Sequence, residues 1–109
     1  MTDGSRLPDY SKLDKVVHER ARLMIMTYLA GREDGGAASF TELKDALGFT
    51  SGNLSIQLKQ LVESGYVGMD KRFSGNKPLT TVTLTPQGWK ALEIYMEEMT
   101  KIIESLKRK

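Results

Sequence analysis

The chain has 109 residues, of which 39% are hydrophobic and 28% charged, with no cysteine and a single histidine. This length predicts one domain with a modest core. Without cysteine, the chain cannot form a disulfide framework, a Cys/His zinc site or a thiol sensor. It has no apolar run of about 18 residues, and residues 1–10 do not resemble a signal peptide, so we expect a cytoplasmic protein without a membrane span.

The formal net charge of +2 is too small to indicate a nucleic-acid-binding protein by itself. Its distribution along the chain is more informative. Residues 31–49 carry a net charge of −2, whereas residues 50–84 carry a net charge of +2. The charged side chains of the second segment are Lys59, Lys71, Arg72, Lys77, Glu63 and Asp70. The positive excess therefore lies within residues 50–84.

The first third of the chain predicts a loose arm and then a helix. Residues 1–10 combine glycine, proline and mixed charges, so we expect no packed structure there. Between residues 11 and 30, apolar residues recur at helical spacing in two patches, and the polar stretch His18–Arg22 between them predicts a kink or a break. Gly31 is expected to end the helix, and residues 32–37 are expected to form a loop.

Two helices joined by a tight turn are predicted next. We expect a short edge strand at Ala38–Phe40, followed by a helix over Glu42–Leu47 that Thr41 caps. The inward-facing residues of this helix would be Leu43, Ala46 and Leu47. Gly48 ends the helix, and Thr50 begins the next one only two residues later. So short a glycine-containing turn between two helices is typical of a helix-turn-helix motif.

The helix predicted over Thr50–Glu63 has two different faces. One is an apolar stripe made of Leu54, Leu58, Leu61 and Val62. Thr50 is the expected N-cap, its hydroxyl accepting from the amide of Asn53, and Gly65 supplies a left-handed residue at the other end. The opposite face carries short or amide-bearing side chains with one charge, namely Ser51, Gly52, Asn53, Ser55, Gln57, Lys59 and Gln60. That composition suits the reading of base edges, although a solvated surface is also compatible with it.

A β-hairpin is predicted after this helix, because the apolar period changes from helical to alternating. The strands are expected at Tyr66–Phe73 and Leu79–Leu84, with a turn over Ser74–Pro78. A hairpin in this position is a wing. Its basic residues, Lys71, Arg72 and Lys77, suit contacts with the phosphate backbone or a minor groove. The alternative is a charged edge that protects the hairpin from aggregation.

A long helix is predicted from the Thr85-Pro86 start signal to about Lys107. Its apolar residues follow a heptad seam, which consists of Trp89, Leu92, Met96, Met99, Ile103 and Leu106, widened to one side by Tyr95 and Ile102. At about 1.5 Å per residue the helix is longer than a domain of this size covers. We expect its Trp89–Met96 half to fold back onto the domain and its Met99–Leu106 half to pair with a second copy of the chain.

These elements in this order indicate a mainly α fold with a small β-hairpin, the winged helix-turn-helix. One structural domain is expected, with a flexible arm at residues 1–10, a DNA-binding part at 11–84 and a dimerisation helix at 85–109. The sequence also resembles the small MarR/ArsR-like winged-helix transcriptional regulators over roughly residues 13–100. The matching segments are Arg22-Leu23, Phe40-Thr41-Glu42-Leu43, Leu47-Gly48-Phe49-Thr50, Gly52-Asn53-Leu54-Ser55, Leu58, Leu61, Gly65-Tyr66-Val67 and Leu84-Thr85-Pro86-Gln87-Gly88.

This resemblance implies two chains paired through terminal helices and bound to double-stranded DNA. Because a two-fold axis relates the two copies, we expect an inverted repeat as the binding site, and we expect no cofactor or metal. Base reading is implied for Ser51, Gly52, Asn53, Ser55, Gln57 and Lys59. Backbone contacts are implied for Thr50, Lys71, Arg72, Asn76 and Lys77. In two places this chain departs from the pattern, because Gln57 stands where relatives often carry His and Asn76 where they often carry Arg or Lys. The cysteine ligands of the metal-sensing branch have no counterpart.

Other functions have less support in the sequence. A catalytic role is not expected, since His18 has no nucleophile near it in sequence, and Glu97 and Glu98 point about 100° apart on a helix. The main alternative is a winged helix that binds another protein and no DNA. A small-molecule effector is a further possibility, in a pocket lined by flexible methionines, although these residues also suit a core. The methionines in question are Met24, Met26, Met69, Met96 and Met99.

Overall fold

The computed structural model describes residues 9–33 and 35–107. The predicted arm at residues 1–10 lies outside this part of the chain, apart from its last two residues. In chain order the elements are a 3₁₀ turn at Tyr10–Lys12, α1 (Lys15–His18), α2 (Arg20–Ala30), β1 (Ala37–Ser39), α3 (Phe40–Leu47), α4 (Ser51–Glu63), β2 (Val67–Ser74), β3 (Lys77–Leu84) and α5 (Pro86–Lys107). This is the winged helix-turn-helix order, which confirms the predicted fold class.

Capping side chains determine where the helices begin. The break predicted within His18–Arg22 falls at Glu19, whose carboxylate accepts from the amides of Ala21 and Arg22 at the start of α2. The predicted start of α3 was wrong by two residues. Ser39, not Thr41, is its N-cap and accepts from the amide of Glu42 at 3.0 Å, because β1 ends at Ser39 and leaves that hydroxyl at the first turn.

The three strands form an antiparallel sheet with the order β1-β3-β2. The hairpin of β2 and β3 is longer than predicted, since its ladder reaches the pair Ser74 and Lys77. The turn is therefore Gly75-Asn76 rather than Ser74–Pro78. Gly75 has a positive φ of 67°, as a two-residue hairpin turn with glycine at its first position requires.

The core lies between the helices and one side of the sheet. Its buried members are Leu13, Val17, Ile25, Met26, Leu29, Ala38, Leu43, Leu54, Leu58, Leu61, Val67, Val82, Leu84, Leu92, Tyr95 and Ile102. Two residues predicted to face inward do not, since Ala46 is exposed and Val62 is 42% exposed. Val62 follows Leu61 by about 100° around the helix, which carries it off the buried stripe.

The start of α5 docks against the beginning of the wing. Thr85 Oγ1 accepts from the amide of Gly88 at 2.9 Å and donates to the carbonyl of Gly65 at 2.6 Å. Gly88 is buried, and a Cβ atom there would lie 2.0 Å from the carbonyl oxygen of Tyr66. Only glycine therefore permits this approach. Within the described residues, none of the helices combines the length and the apolar character needed to cross a bilayer.

Candidate nucleic-acid interface

α4 is fixed at both ends and along one side. Thr50 Oγ1 accepts from the amide of Asn53 at 3.1 Å, as predicted. At the other end Gly65 has a positive φ of 79°, and the amide of Tyr66 bonds the carbonyl of Leu61. The buried stripe is Leu54, Leu58 and Leu61. The opposite face of the helix is consequently held at a fixed orientation to the domain.

The structure exposes the residues that were assigned to the polar face of α4, with one exception. The exposed residues are Ser51, Gly52, Asn53, Ser55, Lys59 and Gln60, and the N-cap Thr50 is exposed as well. A Cβ atom added at Gly52 would have nothing within 4 Å. The first turn thus presents bare backbone, and the face is accessible to a large ligand.

Gln57 is the exception, because it is half-buried and already hydrogen-bonded. Its Oε1 accepts from Arg22 Nη1 at 3.0 Å, and Arg22 Nε donates to the carbonyl of Val16 at 2.8 Å. Arg22 therefore connects α4 to α1. An amide oxygen has two lone pairs, so Gln57 Oε1 retains a second acceptor site. No local pattern in the sequence indicates this contact, since the two residues are 35 positions apart.

One outward side chain of this face, Ile56, was not assigned to it from the sequence. Ile56 is 61% exposed and lies about 200° around the helix from the fully buried Leu54. It stands between Gly52, one turn earlier, and Lys59. Counting positions at about 100° per residue from the buried stripe identifies it from the sequence.

The basic side chains of the wing lie on both faces of the hairpin. Lys71, Arg72, Asn76 and Lys77 are exposed. Lys71 pairs with Thr80 across the ladder, whereas Lys77 pairs with Ser74 and so shares the face of Arg72. Arg72 Nε contacts Asp70 Oδ2 at 2.5 Å, which reduces its net positive field.

An exposed aromatic side chain also lies on the wing. Phe73 is 76% exposed and shares a face with Lys71. Phe73 was predicted to end the first strand of the hairpin, and no function was predicted for it. The structure extends that strand to Ser74, so that Phe73 stands next to the turn.

Hydrogen bonds connect the base of the wing and the helices around it. The Tyr66 hydroxyl donates to the carboxylate of Asp14, which also accepts from the amides of Val16 and Val17 at the start of α1. This hydrogen bond, with burial as a smaller cause, raises the pKa of Tyr66 to about 12. Likewise the Tyr28 hydroxyl donates to Glu42 Oε2 at 2.6 Å, and this bond raises the pKa of Tyr28.

α5 divides the residues assigned to dimerisation between two sides. Leu92, Tyr95 and Ile102 are buried against their own chain at 3%, 5% and 8% exposure. An outward column is formed instead by three residues spaced seven positions apart, Trp89 (40% exposed), Met96 (58%) and Ile103 (46%). Leu106 is 59% exposed. Met99 is half-buried. The Trp89–Met96 half folds back onto the domain through Leu92 and Tyr95, and the Trp89 ring lies beside Gly36, whereas Met96 is exposed. In the other half, Ile102 is covered as well.

The five methionines considered for an effector pocket are not brought together. Met26 is fully buried in the core, whereas Met69 is 39% exposed on the wing. Beside the outward column of α5 lies an open groove of about 780 Å³, and Met96 is the one methionine that lines it. Its other lining residues are Ala30, Trp89, Leu92, Glu93, Glu97, Thr100 and Lys101.

The described residues offer no cluster suited to metal binding. Within residues 9–33 and 35–107, no group of three or more His, Asp or Glu side chains lies close enough to hold an ion. His18 is exposed, and its Nδ1 lies 2.8 Å from the Tyr95 hydroxyl. This contact joins α1 to α5, which gives His18 a structural partner.

Comparison with known proteins matches the chain to one family and one fold. The sequence model described as "Winged helix DNA-binding domain" matches residues 21–103. An uncharacterised protein of Methanocaldococcus jannaschii is 29% identical over 92 residues, which cover 84% of this chain and 97% of that protein. The structure of a transcriptional regulator homologue from Pyrococcus horikoshii OT3 has a TM-score of 0.76 at 26% identity, covering 84% of this chain and 87% of that chain.

A structure with bound DNA has the same fold. It is that of Sco3205, a MarR family transcriptional regulator from Streptomyces coelicolor, solved in complex with DNA. Its TM-score is 0.68 at 17% identity, and the match covers 91% of this chain and 65% of that chain. At this identity the likeness concerns the fold alone.

Proposed function

Because the chain belongs to the winged helix DNA-binding domain family, we propose that it is a transcriptional regulator that binds an inverted-repeat operator as a homodimer. The observation that carries this proposal is α4, which buries one side completely and exposes short polar side chains on the other. Its geometry fits a major groove about 12 Å wide, which accepts one α-helix.

The residues that we assign to DNA contacts on α4 have roles that follow from their chemistry. The Asn53 amide pairs with the N6 and N7 atoms of adenine, while Ser51 and Ser55 form single hydrogen bonds with base edges or phosphates. Lys59 supplies a cation. Gln57 reads through the acceptor site that Arg22 leaves open, so Arg22 acts as a positioning residue. Thr50 and Gly52 bring the first turn close to the phosphate backbone.

The wing grips DNA without reading it. Cations on both faces of the hairpin suit insertion into a minor groove, because both walls of that groove carry phosphates. Lys71 would face one wall and Lys77 the other. Asn76, in the turn, would lie deepest. Arg72 contributes less than its charge implies, since Asp70 already pairs with it.

The outward column of α5 supplies the dimer contact in this proposal. Trp89, Met96 and Ile103 are about half-exposed, so burying what remains of them is worth about 2–4 kcal/mol before the costs of association. A two-fold axis through this column would place two copies of α4 in successive major grooves, with half-sites about 34 Å apart. The inverted repeat follows from that symmetry.

Selection of bound fragments from random duplex DNA tests the proposal. We expect an inverted repeat with half-sites about one helical turn apart, protected symmetrically in footprinting. If the selection enriches no sequence, binding is not sequence-specific. If footprinting at saturation shows protection of a single half-site, the dimer is contradicted.

The dimer surface has its own test. The double variant Ile103→Glu with Leu106→Glu should sediment as a monomer, because carboxylates at an apolar interface are costly to desolvate. Lys90→Glu changes the net charge by the same amount on another side of α5 and should remain dimeric. A parent chain that is already monomeric at tens of micromolar would contradict the assignment.

A protein-binding scaffold is the alternative function for the same fold. The basic wing and the polar face of α4 favour DNA, since neither suits an apolar partner surface. Duplex DNA binding that weakens steeply with salt supports regulation of transcription. Absence of such binding at low salt would support the scaffold.

A further inference from the structure

We propose that Ile56 recognises the C5-methyl group of a thymine in each half-site and thereby determines part of the operator sequence. This inference rests on the proposed function and adds a specificity-determining residue to it. The ligand is the apolar part of a base edge, which none of the polar residues of α4 addresses.

The position of Ile56 is the first observation behind this inference. The side chain is 61% exposed, although isoleucine is among the apolar residues most often found fully buried. It lies opposite Leu54, Leu58 and Leu61, which are 0%, 1% and 0% exposed. In a complex with α4 in the major groove, this position points at the floor of the groove.

The neighbours of Ile56 sharpen the argument. Gly52, one turn before it, has no side chain, and nothing lies within 4 Å of the place a Cβ atom would take. Asn53, Lys59 and Gln60 surround it with exposed polar groups. An apolar protein partner would have to desolvate these polar groups, whereas the base edges and phosphates of DNA provide partners for them.

The chemistry of the groove identifies the contact. Along the major-groove edge of the four base pairs, the methyl group of thymine is the apolar feature, and apolar side chains are its usual partners. Helix propensity favours alanine or leucine at this position, and Ile56 is neither buried nor among the half-buried residues that pack against the core. Recognition of a methyl group explains the choice of residue.

Replacing thymine by deoxyuridine removes only this methyl group and leaves base pairing unchanged. The experiment titrates the parent protein and Ile56→Ala against the selected duplex, with thymine or deoxyuridine at each position under α4. Burial of one methyl group corresponds to about a fourfold loss of affinity per half-site, or about fifteenfold when both half-sites are changed. We expect this loss for the parent protein at one position, and equal binding of both duplexes by Ile56→Ala.

Two controls separate recognition from other causes. Ile56→Val keeps a branched apolar side chain and should retain most of the preference for thymine. Thermal unfolding should show Ile56→Ala to be at least as stable as the parent protein, since alanine is the better helix former. An unfolded variant is thereby excluded as the reason for lost discrimination.

Each remaining outcome counts against the inference. No difference between thymine and deoxyuridine with the parent protein overturns it, as does an equal loss with Ile56→Ala, which would place the methyl effect in the shape of the DNA. A selected half-site without an A·T pair under α4 also overturns it. These results leave DNA binding intact, whereas failure to select any duplex overturns the proposed function together with this inference.

Discussion

α4 and the wing are attached to the domain in different ways. α4 places Leu54, Leu58 and Leu61 inside the core, and its ends are capped by Thr50 and by the turn at Gly65. In β2, by contrast, Val67 is buried at the base of the hairpin and all of Gly68–Ser74 is exposed. The core therefore holds the helix along its whole length, whereas the distal wing is held by its own ladder.

This difference matches the roles that we propose for the two elements. Hydrogen bonds to base edges require side chains held within about 0.5 Å of the productive position, which a helix fixed by the core provides. A lysine on a flexible stem reaches a phosphate from many positions, because it acts as a compact charge. We therefore expect substitutions on the buried side of α4 to lower the free energy of unfolding. Substitutions of the wing's cations should instead weaken the affinity for all DNA sequences.

The largest effect should come from the buried side of α4. Leu58→Ala removes a side chain that is 1% exposed and should lower the free energy of unfolding by about 2–5 kcal/mol. The matched wing variant, Phe73→Ala, removes a side chain that is 76% exposed and should change it by less than about 0.5 kcal/mol. Urea unfolding at one protein concentration measures both. Similar losses for the two variants would show that the wing is not an independent element.

A smaller effect is expected at the joint between the wing and α5. Gly88→Ala would place a Cβ atom 2.0 Å from the carbonyl oxygen of Tyr66, and the resulting shift should cost about 1–3 kcal/mol. Gly52→Ala is the control on the exposed face of α4. Because a Cβ atom at position 52 would have no heavy atom within 4 Å, Gly52→Ala should stabilise the helix by up to about 1 kcal/mol. If thermal unfolding shows Gly88→Ala to be more stable than Gly52→Ala, the close contact between Gly88 and the Tyr66 carbonyl is refuted.

The smallest effect concerns pH and the hydrogen bond between Tyr66 and Asp14. The pKa of Tyr66 is raised to about 12, from an ordinary value near 10. The hydrogen bond therefore stabilises the fold fully below about pH 10, by about 0.5–1.5 kcal/mol, and this contribution is lost as pH rises towards 12. Stability differences between the parent protein and Tyr66→Phe, measured from pH 7 to 12, should shrink above pH 10. A stability difference that grows above pH 10 would contradict the expected direction of the pH dependence.

Local chemistry made much of the fold predictable from the sequence. The cap at Thr50, the left-handed Gly65 and the Thr85-Pro86 start depend on neighbouring residues, and the structure contains all three. The start of α3 was not decided by such a signal, because Ser39 and Thr41 both carry capping hydroxyls. Pairing of Ser39 with Thr81 across the sheet fixes the end of β1, and that contact is distant in sequence.

The candidate site was predictable in part for the same reason. Helical spacing identified the exposed face of α4, and a count of positions would also have identified Ile56. The contact between Arg22 and Gln57 joins two helices and leaves no local pattern. The heptad seam of α5 likewise contains two columns, and the sequence does not tell which of them packs on the domain. The structure assigns Leu92 to the core and Met96 to the surface.

The division between reading by α4 and grip by the wing is tested most directly by titrating two variants against operator and scrambled duplexes at several salt concentrations. Asn53→Ala should lose about 1–3 kcal/mol of discrimination and keep the salt dependence of the parent protein. Lys77→Ala should weaken both duplexes about equally and reduce the slope of log K against log salt by about one per wing, or about two for the dimer. If Asn53→Ala keeps full discrimination while Lys77→Ala loses it, the roles of helix and wing are reversed.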